Sequence, residues 1–139
     1  MNLWPPFWGA GIHVDEISHD YRSAKVSLKY GKLNRNIVGV HFGGSLFAMT
    51  DPFFMLMFSH NLGKQYIVWD RAARIEFLKP GKSNVVANFR ISQEQIDEVR
   101  NEAESGEKIL KDYSVDIKNT DGEVIARVTK TLYIRKKTA

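Results

Sequence analysis

Along residues 22–30, Val26, Leu28 and Tyr30 alternate with Lys25, Ser27 and Lys29, the period-two pattern of a half-buried strand. Residues 10–18 predict its partner, across a turn at Ser18-His19-Asp20. A loop, 31–42, precedes an apolar segment, 43–62, whose runs Ser45–Thr50 and Phe53–Phe58 are too long for one strand. They predict a helix ending near Asn61-Leu62-Gly63, with the glycine as left-handed cap. A long strand over 66–79 closes at a Pro80-Gly81 turn, and 83–91 return from it. Ser92-Gln93-Glu94-Gln95 reads as a capping box opening a helix with Ile96, Val99 and Ala103 on one face and Gly106 as its stop. Residues 108–118 and 123–134 pair across Asn119-Thr120-Asp121-Gly122. On the last strand Val124, Ala126, Val128 and Leu132 face one way and Arg127, Thr129 and Thr131 the other.

The 43–62 helix is apolar on every side, so protein must cover nearly all of it. The only partner available is a single curved antiparallel sheet of about six strands. An α+β chain with a long central helix wrapped by such a sheet is the hot-dog fold. No linker, repeat or low-complexity tract interrupts 1–139, which reads as a single hot-dog domain. The sheet leaves an edge strand unpaired, which favours joining a second copy edge to edge.

Composition narrows the classes. With 43% hydrophobic residues, the 139-residue chain is no disordered segment, and ten glycines and four prolines without a period make no fibrous array. The absence of cysteine removes disulfides, thiolate metal sites and a cysteine nucleophile, and fits a cytoplasmic compartment. The net charge of +4 is uneven: residues 92–107 hold six acids and one base, a net of −5, so the remainder carries +9. Such a body can attract nucleic acid or a small phosphorylated ligand. The bases are scattered, Lys25, Arg71, Arg74 and Lys130 among them, no nucleic-acid reader motif accompanies them, and most read as solvated strand faces. Met1–Pro6 lacks the pattern of a signal peptide. A membrane span over 36–63 is disfavoured by Asp51, at about 2.5–3.5 kcal/mol for a mid-span Asp, and by Pro52 directly after it.

The segment from Asn34 through Ser45 into Asp51 carries the chemistry. Gly43 and Gly44, at a loop-to-helix junction, leave backbone N–H groups bare at a positive helix end, where they can stabilise an oxyanion. Asp51 is a lone carboxylate in an apolar helix, where burial is expected to raise its pKa and make it a better base. Thr50-Asp51-Pro52 can equally be read as a cap with proline at the first helical position, the helix then starting at 52 and Gly43-Gly44 forming an ordinary turn. His41 can be a catalyst or a hydrogen-bonded loop histidine, and the Phe53, Phe54, Met55, Met57 and Phe58 cluster can be core or line an acyl-chain tunnel.

The run His41-Phe42-Gly43-Gly44-Ser45-Leu46-Phe47-Ala48-Met49-Thr50-Asp51 resembles the His-Gly-Gly…Asp motif of PaaI-like hot-dog acyl-CoA thioesterases. Nearly the whole chain resembles a family of small hot-dog proteins of unassigned function allied to them. The resemblance implies that Gly43 is the oxyanion glycine and that Asp51, eight residues on, activates water or attacks the thioester. It implies that Asn36 helps bind the carbonyl or the water, and that Asp70 sits near a Ser/Thr that orients the water. It further implies a site at a dimer interface that draws on both subunits, with surface basic residues on the CoA nucleotide. Phe42 separates His41 from the glycine pair, Pro52 follows the reactive Asp, and Asp70 replaces a hydroxyl, each a departure from the family pattern.

The leading expectation is thioester hydrolysis of an acyl-CoA-type ligand, with Asp51 as base or nucleophile and Gly43/Gly44 as oxyanion donors. Arg35, Lys79 and Lys82 are the candidates for the CoA phosphates. No metal, cofactor, nucleic acid or membrane is expected, and a homodimer or homotetramer is. Two alternatives remain: a binding module that holds an acyl-CoA or lipid-like ligand without cleaving it, and a hydratase using His41 with Asp51.

Overall fold

The structure, a computed structural model, describes residues 2–32 and 35–138; Leu33 and Asn34, part of the expected 31–42 loop, lie outside the described residues. The elements run α1 (Pro5–Ala10), β1 (Ile12–Ile17), β2 (Ser23–Leu28), α2 (Gly43–Ala48), α3 (Phe53–Leu62), β3 (Tyr66–Phe77), β4 (Val85–Arg90), α4 (Gln93–Glu102), β5 (Ile109–Asn119) and β6 (Val124–Lys136). The six strands form one antiparallel sheet in the order β1-β2-β4-β5-β6-β3, wrapped around α2 and α3 in the hot-dog arrangement.

Two hairpins follow their local signals. β1 pairs with β2, and β5 with β6 across Asn119–Gly122, where Gly122 takes a positive φ of 81°. The capping box is present: Ser92 Oγ accepts from the Gln95 N–H while Gln95 Oε1 accepts from the Ser92 N–H. Ile96, Val99 and Ala103 of α4 are buried, and Gly106 lies just beyond them with φ of 85°.

The Pro80-Gly81 turn does not make a hairpin. β3 pairs with β6 at the sheet edge, and β4 lies between β2 and β5. After β3 the chain therefore crosses to the middle of the sheet. It is anchored on the way by the Leu78 and Lys79 N–H groups donating to the Ile125 carbonyl.

The central helix is built as two pieces. α2 ends at Met49, the Thr50 hydroxyl donates to the Phe47 carbonyl at 2.7 Å, and α3 starts after Pro52, which has no N–H to continue the ladder. Gly63 closes α3 with φ of 92° and ψ of 179°, an extended, glycine-only conformation rather than the left-handed cap expected. α3 buries Phe53, Phe54, Met57, Phe58 and Leu62 against the sheet. A ring series runs through this core from Phe7 of α1 to Phe53, Phe89, Phe54, Tyr113 and Phe58, with neighbouring centroids 4.6–6.0 Å apart. Each fully buried phenylalanine contributes about 1.5–3 kcal/mol of transfer free energy.

The β3 edge contrasts with this interior. Residues 69–74 are exposed, as are Trp69, Phe77 and Leu78 and, close by in sequence to α2, Ile37, Val38 and Phe42. Among the described residues no helix is long and apolar enough to cross a membrane.

Candidate functional site at the edge strand

The candidate residues separate into two groups. The first surrounds a cleft of about 490 Å³ lined by Asn36, His41, Gly43, Leu46, Phe77 and Lys79, among others. Its loop is shaped by Asn36, whose Oδ1 accepts from the Val38 and Val40 N–H groups at 3.1 and 3.2 Å. Gly39 turns the loop at φ of 83° and its carbonyl accepts from the Tyr30 hydroxyl. His41 is buried and latches this loop to the 80–83 segment. Its N–H donates to the Gly81 carbonyl at 2.8 Å, and its Nε2 donates to the Ser83 carbonyl at 2.6 Å. That bond leaves Nδ1 buried and without a hydrogen-bond partner among the described residues. Burial holds the imidazole below its usual pKa, so the neutral ring is favoured. No contact joins His41 to Asp51 among the described residues. The histidine acts as a loop latch, the blander of its two sequence readings.

Gly43 and Gly44 open α2 with no side-chain cap, and their N–H groups donate to no described residue. A Cβ on Gly43 would meet the Phe77 ring at 2.9 Å, and one on Gly44 the Phe42 ring at 2.5 Å, so a larger residue at either position displaces an exposed ring. The inserted Phe42 thus lies against the glycine pair with its side exposed to solvent.

The second group is charged. Asp51 sits at the break between α2 and α3, and its side chain is 60% exposed, a correction to the burial expected inside an unbroken helix. It makes no cap hydrogen bond to α3, whose N-cap is Pro52. The semi-buried carboxylate is Asp70, with a side chain only 25% exposed. Burial raises the Asp70 pKa, Lys130 opposes that rise, and the nearby Asp51 adds to it. Lys130 Nζ lies 3.7 Å from Asp70 Oδ1 and 3.9 Å from Asp51 Oδ1, with its side chain 5% exposed.

Lys130 is therefore no solvated strand residue. On β6 the buried Ala126, Val128, Leu132 and Ile134 alternate, and Lys130 falls in the same row. A bulge aligns its partners: Asp70 pairs with Leu132 and Ala72 with Thr131, so Arg71 is the extra residue. Asp70 and Ala73 then share the side of the ladder that carries Lys130, at the exposed sheet edge. The signal was in the sequence, as a lysine at the apolar parity of a strand.

Of the basic candidates, Lys79 borders the cleft and donates to Glu123 Oε2 at 2.5 Å. Arg35 is exposed and pairs with His41 in an isolated bridge. Lys82 is exposed beside Gly81. Among the described residues no three His, Asp or Glu side chains gather as a metal site would require.

Solved structures share this fold at low identity. A Pseudomonas aeruginosa protein of unknown function, designated a probable thioesterase, superposes with TM-score 0.81 at 17% identity, over 91% of this chain and 84% of that one. A Haemophilus influenzae thioesterase gives 0.70 at 14%, over 99% and 87%. A Chlorobaculum tepidum protein of unknown function gives 0.76 at 12%, over 98% and 89%. No curated protein matches the sequence. The family model described as Domain of unknown function (DUF4442) matches residues 1–134, and the chain belongs to that family.

Proposed function

We propose that the protein hydrolyses an acyl-CoA-like thioester at a site completed by two copies of the chain. The observation that carries this reading is the separation of the two residue groups along one free edge strand. From Asp70 to Phe77 the strand runs about 20 Å, and from Gly43 to Asp51 the helix advances roughly 12 Å. One copy alone holds its oxyanion donors too far from its carboxylate. Antiparallel pairing of two β3 edges about a twofold near mid-strand sets Asp70 of one copy beside the Phe77 end of the other. Phe77 packs against Gly43, so each carboxylate group then meets the second copy's cleft. The same pairing covers the exposed Trp69 and Phe77 edge and its bare backbone groups. The thioesterase designations of two fold neighbours support the chemistry.

In this reading the acyl chain enters the apolar cleft, and the Gly43 and Gly44 amides, with the Asn36 side-chain NH₂, polarise the thioester carbonyl. Asp51 takes a proton from a water as that water attacks the carbonyl carbon, or attacks it directly to form an acyl-aspartyl anhydride that a water then hydrolyses to the free acid and Asp51. Collapse of the tetrahedral intermediate breaks the C–S bond, and the departing thiolate takes up a proton. Asp70 orients the water. Arg35, Lys79 and Lys82 receive the CoA phosphates. A thiol-release screen across acyl-CoA chain lengths, run on wild type beside Asp51→Asn, tests this. Turnover by wild type and its loss in the variant is expected; no turnover on any chain length sinks it.

A second reading is a binding module that holds the acyl-CoA uncleaved. It is favoured by His41 and the Asn36 oxygen being committed to the fold rather than to a ligand. Saturable binding of an acyl-CoA without thiol release selects this reading.

A further inference from the structure

Among the described residues, Lys130 is the only Lys, Arg, Asp or Glu whose exposure falls as low as 4%. The neighbours in its row on β6 are Val128 and Leu132, and across the ladder it meets Ala73 of β3 and Tyr113 of β5. An aliphatic side chain would suit that surface, and burying an ammonium there is costly unless opposite charge meets it. The charge that meets it comes from two elements: Asp70 on β3 at 3.7 Å and Asp51 at the α2–α3 break at 3.9 Å.

We propose that Lys130 is a positioning residue of this site, a buried cation that holds the Asp51 and Asp70 carboxylates side by side and sets the charge they share. The proposal rests on the reading of Asp51 as the reactive carboxylate. Without the lysine, two neighbouring carboxylates repel, and the exposed Asp51 is free to swing into solvent. With it, Asp51 is tethered at the mouth of the sheet while Asp70 stays beside it at the sheet edge.

The remaining groups facing Lys130 leave the pairing undisturbed. Tyr113 is buried beside the ring series, and burial pushes its phenol up to about 12, so it stays neutral in the working range. Its ring packs on Phe54 and Phe58. Arg71 and Arg74 on β3 are exposed. Asp51, Asp70 and Lys130 therefore form one charged cluster, with the lysine between the two carboxylates.

The coupling has opposite signs at its two ends, and that makes it testable. Lys130 holds the Asp70 pKa down and Asp51 holds it up. Carbon-detected NMR titration of aspartate side chains is run on wild type, Lys130→Met, Lys130→Arg and Asp51→Asn, alongside the pH–rate profile for thiol release from the acyl-CoA that wild type prefers. In Lys130→Met the Asp70 midpoint is expected to rise by about one pH unit or more, with the acidic limb of the rate profile moving the same way. Lys130→Arg returns both toward wild type, and Asp51→Asn lowers the Asp70 midpoint. A lysine with only a packing role would change the melting temperature and leave these midpoints in place. If Lys130→Met does not fold, the Lys130→Arg and Asp51→Asn titrations decide the question. An Asp70 midpoint that stays at the wild-type value in the folded variants overturns the proposal. Wild type that releases no thiol from any acyl-CoA overturns the hydrolase reading, and the titration still decides the role of Lys130.

Discussion

The two ends of the β3 edge are built on opposite principles. At the Phe77 end the polar groups are tied into the fold: Asn36 shapes its own loop, His41 latches to Ser83, and Phe77 closes over Gly43. At the Asp70 end the two carboxylates adjoin each other and lie 3.7 and 3.9 Å from one buried lysine, and Asp51 faces solvent. The first end is rigid, apolar and short of reactive groups. The second is charged, and the hollow beside it, about 330 Å³ and lined by Trp69, Asp70, Arg71, Lys108, Leu110 and Tyr133, is smaller than the cleft. Each holds what the other lacks, and in one chain about 20 Å of strand separates them. In the proposed reading, a second copy is what brings the two ends together.

The comparison breaks most sharply at the charged end. Asp51→Asn is expected to lower thiol release by about a thousandfold or more while leaving the circular dichroism and melting temperature near wild type, because an exposed side chain contributes little to stability. A variant with wild-type turnover would remove the charged end from the chemistry. At the cleft end a smaller loss is expected. Asn36→Ala removes one donor and loosens a loop, and a fall in kcat/KM of roughly ten- to a hundredfold should accompany a lower melting temperature. If its effect on turnover exceeds that of Asp51→Asn, the division of labour between the two ends is wrong.

The smallest effect concerns the latch. His41 is held below its ordinary pKa of 6.5 by burial, so the folded state binds a proton less readily than the unfolded chain. The stability of the neutral ring is therefore fully present above pH 6.5 and declines as the pH falls below it. His41→Leu should flatten that decline between pH 7 and pH 5, read as melting temperature against pH, at the expense of some stability at neutral pH. A variant whose acid sensitivity matches wild type would show that His41 does not titrate as a buried latch.

The local pattern made most of the fold legible. Period-two alternation gave the β1–β2 hairpin, Asn119–Gly122 gave β5–β6, and Ser92-Gln95 gave the α4 cap, because each is decided by neighbours within a few residues. The topology was less legible. Pro80-Gly81 signals a turn, but whether the next strand pairs back is decided by distant partners, and β6 takes the place beside β3. α1 has no local signature because six residues starting with two prolines give no periodicity; the packing of Phe7 on Phe53 and Trp4 and the Gly11 cap hold it. In the site, the motif spacing brought out Gly43 and Asp51, but burial was assigned to the wrong carboxylate. Pro52 splits the helix and turns Asp51 outward, while the Arg71 bulge puts Asp70 on the side of the ladder that carries Lys130. Lys130 reads as surface because it is a base among bases, although its parity with Val128 and Leu132 marks it as interior.

The central claim is that each site is assembled from the cleft of one copy and the carboxylates of another. Asp51→Asn and Gly43→Pro proteins, the second lacking the Gly43 N–H at the first position of α2, are each expected to be inactive alone and are unfolded together and refolded as a mixture. Random pairing makes half of the dimers mixed, and each mixed dimer holds one intact site, so roughly a quarter of wild-type thiol release should return. Mixed dimers that form, as shown by differential tagging, yet release no thiol would contradict the account.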